Sequence, residues 1–130
     1  MKKRQPASQA HVDLSGDGAI GQVHRFFPPN EIPDLLRRRF QVINLWRPIG
    51  NPAYDHPLAL CPYDCVDPKR DTFPVTRFYA THVIGALGIK YTPNYQWKYL
   101  RGMTPDELVL IKMSVSAAGP VLYITLLITA

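Results

Sequence analysis

Apolar positions in this chain come in short runs rather than in long helical stripes. In "QVINLWRPI", Val42, Asn44 and Trp46 alternate with Ile43, Leu45 and Arg47 until Pro48 ends the run. That two-residue period predicts a strand. "RFYATHVIGALGIKYTP" and "YQWKYLRGM" read as two further extended stretches rich in aromatic and β-branched residues, with "TPNY" as the turn between them. "FFPPNEIPDLLRRRF" offers Asn30 as a cap, Glu31 and Asp34 early and Arg37, Arg38 and Arg39 late. This is the charge order a helix dipole favours, so a short helix is expected near 31–39, its arginine run forming a solvated end. In "MTPDELVLIKM", Thr104 and Pro105 precede Asp106 and Glu107, which predicts one turn of helix leading into a strand.

Two stretches carry no such period. "SGDGAIG" holds Gly16, Gly18 and Gly21 but no Gly-Lys-Ser/Thr ending, and reads as a turn or flexible loop rather than a phosphate loop. Residues 50–75 are dense in Pro, Asp and Tyr around one apolar piece, "LALC", and read as a long structured loop. After Lys112 no charge occurs, and nearly every residue is apolar or small. The run beyond Pro120 is too short to span a bilayer, which leaves a buried strand or a foreign end. Should residues 120–130 fail to act as a core strand, their uncharged β-prone character would promote aggregation, and deleting them would raise soluble yield.

The 130 residues, 46% of them hydrophobic, suit one modest domain. Thirteen Pro and eight Gly break up candidate helices, so the expected class is mostly β with short helices. The division expected is a disordered N-terminal segment over 1–10, a domain over 11–112 and a divergent apolar tail over 113–130. The net charge of +5 is concentrated in "MKKR" and "LRRRF", without a basic stripe interleaved with aromatics. Nucleic acid is therefore not an expected partner, and the charge suits solubility or a small anionic ligand. The N-terminal charges have no apolar stretch behind them, so no secretory signal is read and a cytoplasmic location is expected. Cys61 and Cys65 in "CPYDC" are then reduced thiols, and a zinc site joining them to His56 and His82 lacks any finger spacing.

The candidate chemistry lies in "SQAHVDLS". His11 and Asp13, two positions apart, would point to the same side of an extended segment. Non-haem iron oxygenases bind Fe(II) with two imidazoles and one carboxylate on one face, leaving the opposite face open. A His-x-Asp step on a strand supplies two of those three donors. The other reading of His11 is an ordinary surface or core histidine.

"AHVDLS", "RRRFQVINLWRPIGNPAYDHPLALC", "VDP" and "IKYTPNYQWKYLRGMTPDELVLIK" follow one another along residues 5–112. In that order they resemble a fungal and bacterial hydroxylase/desaturase family that includes aspergillic-acid-pathway hydroxylases, gibberellin-desaturase-like proteins and relatives of a cephem methoxylase component. The resemblance implies a double-stranded β-helix, a jelly roll of the cupin type, that binds Fe(II) and 2-oxoglutarate and oxidises small secondary metabolites. It places His11 and Asp13 on the metal-ligand pair. It also matches Asn44, Trp46, Arg47 and Pro48 to a tryptophan-arginine strand and Tyr91, Asn94, Trp97 and Tyr99 to an aromatic hairpin. Asn44, Trp46, Arg47, Tyr91 and Tyr99 thereby become candidates for cosubstrate or substrate contact, Arg47 either as an anion contact or as one half of an ion pair.

After "LVLIK" the family continues with an Asp-Ser segment, a Pro-His that would supply the distal iron ligand, and a later arginine suited to 2-oxoglutarate. Here the chain reads "MSVSAAGPVLYITLLITA", and no histidine follows His82. The resemblance thus implies a truncated or frame-shifted member carrying half of an iron site, with impaired activity and no membrane partner. A catalytically silent remnant or a binding β domain is the alternative. A methyltransferase role is disfavoured, because no glycine-rich nucleotide loop follows a strand.

Overall fold

The computed structural model describes residues 9–115 and 126–129. The N-terminal segment through residue 8, and residues 116–125 and 130 of the tail, lie outside the described residues, so the expectations for them are not addressed. The elements run β1 (His11–Val12), α1 (Gly16–Phe26), α2 (Ile32–Arg37), β2 (Gln41–Trp46), β3 (Leu58–Cys61), a 3-10 turn (Tyr63–Cys65), α3 (Pro68–Asp71), β4 (Thr72–Phe78), β5 (Val83–Ile89), β6 (Lys98–Tyr99), β7 (Val109–Val115) and β8 (Leu126–Thr129). As expected, the chain is mostly β with short helices.

Two sheets form. One has six strands in the order β4-β5-β1-β8-β3-β6, and the other pairs β2 with β7. The non-sequential neighbours mean that strands distant in sequence close the larger sheet, as in a jelly roll. The core gathers Val12 and Leu14, Leu58 and Cys61, and Ile89 with Ile111 and Met113 of β7, while Val42 and Trp46 of β2 lean on it half-buried. The alternation read in "QVINLW" is real: Val42 and Trp46 face this core, and Ile43 and Leu45 are exposed.

The glycine stretch is where the sequence reading fails. "GDGAIGQVHRF" is helix α1, capped by the Ser15 hydroxyl, which accepts from the Gly18 amide at 3.0 Å. Burial of Ala19 and Val23 favours the helix, and tertiary packing overrides the low propensity of glycine. Gly18 has its own reason to lack a side chain, since a Cβ there would lie 2.2 Å from the Gly85 carbonyl oxygen on β5. Gly18→Ala is therefore expected to cost about 3 kcal/mol, the upper end for overpacking against backbone. Gly21→Ala, with nothing within 4 Å of the added carbon, should instead stabilise by about 0.5–1 kcal/mol through helix propensity. Urea midpoints of the two variants, moving in opposite directions, check this.

Other boundaries also shift. The 31–39 helix is shorter, Ile32–Arg37, and begins at Glu31 rather than at an Asn30 cap. The long loop over 50–75 contains β3, the 3-10 turn, α3 and the start of β4. "RFYATHVIGALGIK" is not one extended stretch, because β4 and β5 pair as an antiparallel hairpin from Thr72↔Ile89 to Phe78↔Val83 and the chain turns through 79–82. The expected helical turn at Thr104 is a hydrogen-bonded turn. Its amide and hydroxyl both donate to the Glu107 carboxylate, at 2.8 and 3.1 Å, and the Glu107 amide donates back to the Thr104 carbonyl. The strand expected after it is β7.

Candidate active site

β1 lies beside β5 with His11 opposite Gly88 and Val12 opposite Leu87, and beside β8 with His11 opposite Leu127. Val12 and Leu14 are buried, while His11 and Asp13, at the alternate positions, are only half-buried. The period-2 argument is borne out at the atomic level: His11 Nε2 lies 3.1 Å from Asp13 Oδ1. On the far side of the ring, His11 Nδ1 is 2.7 Å from the Gln9 carbonyl oxygen. A carbonyl only accepts, so Nδ1 carries the proton and donates. The Asp13 carboxylate also only accepts, so a hydrogen bond to it needs the second ring proton on Nε2, as in the imidazolium.

Two further side chains converge on the same carboxylate. Arg77 Nη1 of β4 donates to Asp13 Oδ1 at 3.0 Å, and Asn44 Nδ2 of β2 donates to Oδ2 at 3.4 Å. The hydrogen bond with His11 is the main cause that holds the Asp13 carboxyl below its ordinary value, with Arg77 adding to it against the cost of burial. The same bond with Asp13 raises the His11 value, against burial and the positive charge of Arg77. The three groups form one electrostatically coupled cluster beside β1, an inner strand of the larger sheet.

Asp13, Asn44 and Arg77 line a cavity of about 670 Å³, whose walls are mainly apolar and include Phe26, Phe27, Phe40, Val42 and Tyr79. Its polar groups are few, and three of them belong to the cluster around Asp13. A mostly apolar hollow with a small convergent polar patch has the make-up of a small-molecule site. His11 faces a second hollow of about 200 Å³, which Arg77 shares with Gln9, Val75 and Ala86.

Of the other candidates, only Asn44 joins this cluster. Trp46 packs half-buried on the core. Arg47 is exposed and forms no ion pair among the described residues. Tyr91 is 89% exposed on the loop after β5. Tyr99, on β6, lines a different hollow of about 370 Å³ with Leu58, Cys61 and Met103. The matched "aromatic hairpin" is not a hairpin, since β6 pairs with β3 and Trp97 packs edge-on to Tyr95 at 6.0 Å. His82 stacks on Tyr79, their rings 4.7 Å apart. Cys61 and Cys65 are free thiols, and among the described residues no three His, Cys, Asp or Glu side chains are grouped to hold a metal ion.

Sequence reasoning missed Arg77. Its signal was the alternation of half-buried Phe73, Val75 and Arg77 with exposed Pro74, Thr76 and Phe78. A charged side chain on the inward face of a strand calls for an acidic partner, yet Phe78 and Tyr79 blur that pattern.

The β-rich, two-sheet arrangement with an apolar cavity against it is that of the jelly-roll class of fold. The solved structure of the iron and alpha-ketoglutarate-dependent endoperoxidase NvfI superposes with a TM-score of 0.83 at 24% identity, over 99% of this chain and 49% of that one, a likeness of fold. The family described as an oxidoreductase/YMDC permease-like domain matches residues 1–122. Among similar proteins, hydroxylase/desaturase poxK of Penicillium oxalicum is 28% identical over 83% of this chain and 39% of its own length. Hydroxylase/desaturase CTB9 of Cercospora beticola is 31% identical over 86% of this chain and 37% of its own length. The chain belongs to this oxidoreductase family, with fungal hydroxylase/desaturases as relatives, and spans well under half the length of those two. Among the described residues no helix is long and apolar enough to cross a membrane.

Proposed function

We propose that the chain forms part of the catalytic β-helix of an Fe(II)- and 2-oxoglutarate-dependent hydroxylase or desaturase that acts on a small, largely apolar molecule. The observation that carries this reading is the approach of His11 Nε2 to Asp13 Oδ1 at 3.1 Å, with Nδ1 tied to a backbone carbonyl. That is the arrangement in which an imidazole is oriented for metal ligation through its other nitrogen. An imidazole nitrogen and a carboxylate oxygen suit Fe(II), and the two atoms are close enough to share one ion, so the pair fits two of three protein positions. Bound iron and its 2-oxo acid supply oxidising power drawn from O2. The chain's own residues orient the donors, and the aromatic cavity wall keeps the substrate's carbon skeleton out of water.

The test is anaerobic equilibrium dialysis against Fe(II). The chain should retain one ion, weakly, and His11→Ala and Asp13→Ala should each abolish retention. Undiminished retention by both variants would remove the reading.

A further inference from the structure

We propose that Arg77 is a positioning residue that fixes the Asp13 carboxylate in the attitude in which it can share a divalent cation with His11; this rests on the iron reading above. An aspartate's outer torsion is broad and roughly two-fold, so its own rotamer preference does not decide where its oxygens point. Partners decide it. Arg77 Nη1 at 3.0 Å and His11 Nε2 at 3.1 Å both meet Oδ1, while Asn44 reaches Oδ2 at a longer 3.4 Å. A carboxylate oxygen accepts at two sites. A cation taking the place of the His11 contact on Oδ1 leaves the other site to Arg77, which keeps that oxygen turned toward the imidazole.

The neighbouring strands are built to let Arg77 reach. β5 lies between β4 and β1, so the guanidinium must cross it to meet a residue 64 positions away in sequence. Ala86 and Gly88 of β5 line the hollow that Arg77 and His11 share, and both are small enough to leave that crossing open. Gly88 has little freedom to be larger, because an added Cβ would come within 2.3 Å of the Phe73 ring.

A guanidinium beside a metal-binding carboxylate acts in two opposed ways. Its charge repels the incoming cation, and its hydrogen bond orients the ligand. The Asp13 and Arg77 side chains are only 28% and 31% exposed, so solvent and salt screen the repulsion in part. Without Arg77, however, Asp13 Oδ2 keeps only the longer Asn44 bond at 3.4 Å and Oδ1 loses its one fixed donor beside the imidazole. The orienting effect is taken to outweigh the repulsion, so loss of Arg77 weakens metal binding although it removes a positive charge from the site. The remaining guanidinium nitrogens, Nε and Nη2, have no partner among the described residues, so this role is carried by Nη1 alone and a lysine ammonium can supply part of it.

The test is titration of the full chain with Co(II), an oxidation-stable stand-in for Fe(II), followed by dialysis and by the cobalt absorption spectrum. Arg77→Gln should raise the dissociation constant tenfold to a hundredfold, the usual penalty for removing a hydrogen-bonding partner of a metal ligand. Arg77→Lys should fall between the two. Methylguanidinium added at millimolar concentration should recover part of the loss in Arg77→Gln, which a general structural defect would not allow. Affinity in Arg77→Gln equal to or tighter than that of the parent chain overturns the proposal while leaving the iron reading intact. Unchanged cobalt affinity in His11→Ala, or a parent chain that binds no cobalt, overturns both.

Discussion

A chimera in which the residues after Lys112 are replaced by the corresponding C-terminal segment of a hydroxylase/desaturase relative should form succinate from 2-oxoglutarate, with Fe(II), ascorbate and O2, about a hundredfold faster or more than the chain itself. Facial coordination by three protein donors leaves adjacent positions for a 2-oxo acid and O2. Among the described residues only His11 and Asp13 come together, and no third His, Cys, Asp or Glu joins them. Loss of a partner of a metal ligand already costs about 10–100-fold, and a missing ligand costs at least as much. His11→Ala in the chimera should return the rate to background, which separates turnover at this site from adventitious iron chemistry. Robust succinate formation by the unmodified chain, abolished by His11→Ala, would mean that a residue outside the cluster completes the site.

Cavity shape and donor chemistry make separate demands on this fold, and the chain meets them with different elements. Phe26 ends α1 and Phe27 follows it, Phe40 precedes β2 and Tyr79 opens the β4–β5 turn, so these aromatic parts of the apolar wall come from element ends and junctions. Junctions vary more readily than ladders. The donors, by contrast, sit on or beside strands: His11 on β1, Arg77 on β4 and Asn44 on β2. On the proposed function, substrate choice can therefore change at Phe26, Phe40 or Tyr79 without disturbing the His11–Asp13 spacing.

How much of this was legible in the sequence depends on the range of the interaction. The His11–Asp13 approach follows from a two-residue step on an extended segment, so it could be read locally. The strand at 41–46 could be read for the same reason, from the alternation of Val42 and Trp46 with Ile43 and Leu45. The helix over 16–26 could not, because what favours it is tertiary burial of Ala19 and Val23, and its glycines, one of them set by the close approach of Gly18 to Gly85, 67 positions away, carry no periodic signal. Arg77 was invisible for a similar reason. Its partner is supplied by strand order, β4-β5-β1, which no local pattern encodes. Trp46, Tyr91 and Tyr99 lie apart from the Asp13 cluster, on the core, on an exposed loop and in another hollow, a separation set by strand order that spacing along the chain does not encode.

Deleting residues 126–130 should lower soluble yield and the melting temperature, the opposite of what an uncharged appendage would do. β8 lies inside the six-stranded sheet, paired with β3 from Leu58↔Thr129 to Cys61↔Leu126 and with β1 at His11↔Leu127. Removing it leaves two strands with unpaired edges, the condition that promotes edge-to-edge association. The handful of ladder hydrogen bonds lost, at about 1 kcal/mol each, is comparable to the whole stability of a small domain, about 5–15 kcal/mol. Leu127→Pro is the finer probe. It takes one amide from a strand paired on both sides and should cost about 3 kcal/mol or more. Because residue 127 is the register partner of His11, the same substitution should also weaken metal retention, by loosening the strand that carries the imidazole. If deletion leaves the yield and melting temperature unchanged or improves them, β8 contributes nothing to the folded sheet, and the His11 strand is held by β5 alone.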